Sequence, residues 1–146
     1  MSTPPRSVFQ YAIIRVVPRV ERGESLNVGV VLLCRPQRYL GACIALDERR
    51  LAALAPDLDP RSVLPHLDAI ERVAAGDPAA GPIAALDLAE RFHWLVAPAS
   101  TIIQPSAVHT GLCDDPATEL EHLVATLVNQ PGDLQPGEVK SGDVKP

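Results

Sequence analysis

Asn27 to Cys34, NVGVVLLC, limits the fold more than any other stretch of the chain. After Asn27 it is apolar at every position and has the length of a strand. A strand with one solvated face alternates apolar and polar side chains, so an unbroken apolar run needs cover on both faces. The segments around it are also strand-like. Phe9 to Val17 is rich in β-branched and aromatic residues and stops at Pro18. Arg35-Pro36-Gln37-Arg38 reads as a turn, and Tyr39 to Leu46 as a third strand. The order predicts an N-terminal antiparallel meander. Aromatic residues make up only 3% of the chain, so Val, Leu, Ile and Ala must fill its core.

The apolar period then changes to that of helices. Leu51, Leu54 and Ala55 follow Asp47, a natural N-cap, and Pro56 closes that short helix. A second helix starts at Asp59-Pro60 and carries Val63, Leu64, Leu67, Ile70 and Val73-Ala74 on one face, ending at Gly76-Asp77-Pro78. Pro65 lies in its first turn or so, where proline is tolerated. A small-residue loop over 79–85 leads to a short helix through Leu86, Ala89 and Glu90. Strands are expected at 93–96 and 101–104, separated by Pro98, with His93 and Trp94 packed in the core. Residues 106–112 either extend the sheet or form an active loop. Asp115-Pro116 opens the last helix, whose buried stripe is Leu120, Leu123, Val124, Leu127 and Val128. The whole predicts an α+β domain over 9–129, a mostly antiparallel sheet covered by about three helices. A flexible N-terminus (1–8) and a disordered, Pro- and Gly-rich tail (130–146) flank it.

Gly23-Glu24-Ser25-Leu26-Asn27 begins like the G-x-S-x-G turn that presents a hydrolase serine. Its fifth residue is Asn and a strand follows, so Ser25 reads as a loop residue rather than a nucleophile served by His109 and Asp114. The loop from Pro18 to Leu26 is long for a hairpin and carries Arg19, Glu21, Arg22 and Glu24. Long charged loops between rigid strands often hold recognition residues. Arg15 is an anomaly in an apolar strand, on the face shared with Tyr11 and Ile13. It needs an anionic partner if buried, for which Glu24 and a bound phosphate or carboxylate are candidates; on an edge strand it would instead face solvent. Gly29 and Gly41 interrupt two strands, as at a bulge or a close backbone approach. Pairing Cys34 with Tyr39 would put Cys43 on the face of Cys34, and a slip of one residue would reverse that.

Ser106-Ala107-Val108-His109-Thr110-Gly111 is the second polar cluster. His109 suits a general base or a phosphate ligand near neutral pH, or a structural bond to a carbonyl. His66 and His122 read as helix-surface residues. The candidate binding set is Arg15, Arg22, Glu24, Asn27, His109 and Thr110, and the catalytic candidates are Glu24 and His109. No metal or cofactor is expected. Three cysteines form no disulfide framework, and Cys113 near His109 lacks the further ligands of a zinc pattern. No apolar run reaches the roughly 18–20 residues that span a bilayer. The N-terminus has no signal-peptide core, so the expected location is cytoplasmic. A formal charge of −5 makes nucleic acid a poor partner, unless Arg15, Arg19, Arg22, Arg35 and Arg38 form one stripe.

Several patches in order carry a resemblance. They are Tyr11 to Val17, Arg22-Gly23-Glu24 with Asn27-Val28-Gly29-Val30-Val31, and Leu46-Asp47 with Arg50-Leu51. Gly81-Pro82-Ile83, Glu90-Arg91-Phe92 and Ser106 to Gly111 follow. Together they resemble the bacterial domain-of-unknown-function family 3037 over roughly residues 9 to 128. The resemblance implies a partner role beside kinases that resemble the HipA toxin kinase. The leading expectation is therefore a non-enzymatic interaction or regulatory module, presenting the 18–27 loop and residues 106–111 to a protein partner. The alternative is a small enzyme acting on a phosphate-containing or nucleotide substrate, with Arg15, Glu24 and His109 in one cleft.

Overall fold

β2 (Leu26–Cys34) lies inside a five-stranded antiparallel sheet and is buried at every position except Asn27, as its apolar run requires. The computed structural model describes residues 6–99 and 101–129; the tail expected over 130–146 lies outside the described residues, as do residues 1–5. β1 (Ser7–Val16), β2 and β3 (Tyr39–Ile44) form the expected meander, with Cys34 opposite Tyr39. β1 opens at Ser7, inside the segment expected to be flexible. Cys34 and Cys43 consequently share a face.

Cover comes from both sides. α1 (Glu48–Leu54), α2 (Leu64–Ala74) and α3 (Leu88–Leu95) pack with Ile14, Val16, Val31 and Leu33 on one face. α4 (Pro116–Leu127) packs with Phe9, Val30, Leu32 and Cys34 on the other. Ile14 stands opposite Gly29 but Arg15 stands opposite Asn27, so Val28 is the extra residue of a β-bulge. The bulge puts Val28 on the side of Val31 and Leu33 instead of the opposite one.

The fourth side of the plan is closed by sequence-distant segments. β4 (Ile103–Pro105) and β5 (His109–Cys113) lie end to end along the free edge of β1. Ser106 keeps the ladder continuous between them. Its N–H donates to the Ile13 carbonyl at 2.8 Å, and its Oγ accepts from the Ile13 N–H at 2.8 Å.

Helix starts follow the aspartates. Asp47 accepts from the N–H groups of Arg49 and Arg50, Asp87 from Glu90, and Asp115 from Thr118. The expected strand at 93–96 is wrong: those residues belong to the last turn of α3 and its cap. Asp87 starts a helix whose Leu88, Phe92 and Leu95 recur at offsets of four and three, so the apolar stripe passes through Phe92. His93 and Trp94 point away from it and are exposed, not packed in the core. Pro60–Ser62 forms a separate 3-10 turn ahead of α2, and Pro65 sits at the start of α2, where no N–H is needed. No helix among the described residues is long and apolar enough to cross a membrane.

Candidate functional site

β1 carries Tyr11, Ile13 and Arg15 on the face that α4 covers only in part, and all three are half-buried. The Arg15 guanidinium turns to the sheet edge. Its Nη2 donates to the Pro105 carbonyl at 3.1 Å and its Nε reaches the Gln104 carbonyl at 3.5 Å. Neutral oxygens of β4, not Glu24, therefore engage it, and the candidate Arg15–Glu24 pair does not form. Asn27, opposite Arg15, donates from Nδ2 to the Leu127 carbonyl at 3.0 Å, satisfying one of the orphan acceptors at the end of α4.

His109 stands opposite Tyr11, with ring centroids 5.2 Å apart and planes tilted by 31°. Four residues along β1 separate this pair from Arg15, about 13 Å at strand rise. Thr110, opposite Gln10, points to the other face and is exposed. The 106–112 segment thus extends the sheet.

The 18–25 loop folds on itself. Val20–Arg22 makes a 3-10 turn closed by Gly23 at φ 71°, the left-handed region that glycine enters without steric cost. Arg22 then grips Glu24 with two parallel bonds, of 2.8 and 3.1 Å, and Arg19 pairs with Glu21 at 3.0 Å. The Arg22 guanidinium holds the Glu24 carboxyl below its ordinary range. Exposed pairs of this kind add little stability, but they fix the loop's shape. The loop and the end of α1 border an open groove of about 420 Å³, where Arg19, Arg22, Glu24 and Asp57 stand beside Leu54 and Leu58. Neither Arg15 nor His109 reaches it. Arg19 and Arg22 precede β2 while Arg35 and Arg38 follow it, so the five arginines form no single stripe.

A larger concavity, of about 600 Å³, opens between α2, α3 and β4, on the sheet face opposite the one that carries Tyr11 and Arg15. Ile14, Ile70, Val73, Leu95 and Ile103 line it, and Trp94 stands at its rim with 54% of its surface exposed. His66 is the one titratable side chain among its described lining residues. Reading 93–96 as a strand hid this site. The signal was present: once Leu88, Phe92 and Leu95 are placed on one helical stripe, Trp94 falls outside it.

The order of strands, the bulge and the aspartate-capped helices carry the patches that suggested a family. A family model described as "Protein of unknown function (DUF3037)" matches residues 11–128. The chain belongs to the DUF3037 family. Comparison with curated proteins and with solved structures gave no match.

In this DUF3037 domain the cysteines sit on the α4 face. Cys34 and Cys113 are buried, and Cys43 is partly open. Burial pushes the Cys113 thiol up to about 11, with neighbouring Cys34 adding to the effect. Burial also raises Cys43, and Glu71 adds to it. Among the described residues no group of three His, Cys, Asp or Glu side chains could hold a metal ion. A thiol reagent at pH 8 is expected to modify Cys43 first. Cys34 and Cys113 should react only as the chain unfolds; equal rates for all three would contradict this burial.

Proposed function

We propose that this DUF3037 domain is a non-enzymatic interaction module that holds an apolar segment of a protein partner in the α2–α3–β4 groove. One observation carries the reading: the 600 Å³ concavity is apolar, has an exposed tryptophan at its rim, and offers His66 as its one titratable lining group. Tryptophan is enriched among the residues that dominate binding energy at interfaces. A catalytic cleft would instead gather charged and nucleophilic groups. The candidates for that role are engaged separately: Arg15 by β4 carbonyls, Glu24 by Arg22, and His109 by the Tyr11 ring. The 18–25 loop, with its paired charges, is a second surface for the same partner. A kinase resembling the HipA toxin kinase is the partner class we place first.

Trp94 is the only tryptophan of the chain, so its fluorescence reports on the groove directly. Titration with such a kinase is expected to shift its emission to the blue and to saturate. Trp94→Ala should weaken binding by about tenfold or more, as hot-spot truncations do. Its unfolding midpoint should stay close to that of the parent, because half the side chain is already in solvent. Undiminished binding by Trp94→Ala would remove the groove from the interface.

A further inference from the structure

β3 is a sheet edge, and the pattern of its backbone groups shows what remains open. Ala45 N–H donates to the Val28 carbonyl at 2.7 Å, which sets the alternation of the β2–β3 ladder. Gly41 and Cys43 therefore bond inward to β2, while Leu40, Ala42 and Ile44 present N–H and C=O outward. α2 takes one of these groups: Ile44 N–H donates to Glu71 Oε2 at 2.8 Å. Among the described residues the outward groups of Leu40 and Ala42 have no partner. Natural sheets guard such an edge with a charge, a proline or a bulge. The strand YLGACI has none of these.

Its two ends carry opposite charge. Arg35 and Arg38 stand exposed in the turn before β3, and Glu71 lies against its last residue. Among the described residues none of the three has an ion-pair partner.

We propose that β3 pairs antiparallel with β3 of a second copy, about a two-fold axis at Gly41. In this register Leu40 of each chain faces Ala42 of the other, and the two pairs exchange four hydrogen bonds. Tyr39 faces Cys43, and Arg38 arrives beside Ile44 and the Glu71 that holds it. Only groups that are free in the single chain are used. A slip of two residues one way would require the Ile44 N–H, which Glu71 occupies, and the other way the Arg38 N–H, which the Arg35 carbonyl occupies. The two-fold repeats every contact, so the mismatch of charge along one edge becomes two matched junctions. Two five-stranded sheets then form one continuous sheet.

Sedimentation of the full chain is expected to show a monomer–dimer equilibrium that shifts with concentration. Ala42→Pro deletes an outward N–H without touching the β2 ladder, a position where an edge strand accepts proline. It should be monomeric with unchanged far-ultraviolet circular dichroism. Charge variants test the register even where proline disturbs folding. Arg38→Glu and Glu71→Arg each place like charges at both junctions and should weaken self-association at least tenfold. Mixed, they should form a heterodimer, because each junction then joins opposite charges. A chain that stays monomeric at all concentrations would overturn the proposal. So would one that takes an extended peptide along β3 instead of its own copy, or a mixture that associates no better than either variant alone.

Discussion

Phe92→Ala is expected to lower stability by about 3–5 kcal/mol, the usual cost of emptying a buried aromatic site. Phe92 is fully buried, in the stripe by which α3 meets the sheet, among Ile14, Val16, Leu67 and Val73. Loss of the ring removes apolar burial and leaves a cavity that the sheet is too rigid to close. Single domains of this size have about 5–15 kcal/mol in total, so the variant should unfold at a much lower urea concentration with an unchanged m-value. Trp94→Ala is the internal control, two residues away and on the solvent side. If the two variants lose similar stability, the assignment of the α3 faces is wrong.

Gly29→Ala should cost about 1–3 kcal/mol, the range for overpacking a filled site. A methyl group built at Gly29 would stand 2.5 Å from Ile44 Cδ1 and 2.8 Å from the Cys43 carbonyl oxygen. The first contact can be relieved by a rotamer change, but the second is backbone in the ladder of the neighbouring strand. Ile44→Val removes only the Cδ1 contact. The double mutant Gly29→Ala/Ile44→Val should therefore recover part of the loss over its own Ile44→Val background, and not all of it. Full recovery in such a cycle would place the whole strain in the side chain. It would then leave the close approach of β2 and β3 unexplained.

The features legible in the sequence are local ones. The Val28–Cys34 run demanded two-sided burial, and the Asp-Pro and Asp-led starts marked helices because the cap lies within three residues of what it caps. Gly29 is readable as a site of bulge or close approach; the structure gives it the close approach, and the bulge falls on its neighbour Val28. The hidden features depend on distant partners. Arg15 finds carbonyls some ninety residues away, at 104 and 105, which no spacing near Arg15 could reveal. The sequence leaves His109 open between a general base, a phosphate ligand and a structural role, because nothing local shows that β5 places it against Tyr11. Trp94 was misplaced for a different reason: His93-Trp94-Leu95-Val96 fits a strand as well as a helix when read alone, and the Asp87 cap decides between them.

The Ser106 bridge has a consequence for how the chain comes to be folded. β1 is made first, yet one of its two edges waits for residues 103–113, with Ser7 finally opposite Cys113. Until that segment leaves the ribosome, β1 can be zipped to β2 but still shows an open side. Such sequence-distant pairing slows closure and lengthens exposure to other nascent chains. A message cut short before the codon for Ile103 would yield a meander with an unclosed seam, a substrate for chaperones and proteases rather than a smaller working domain.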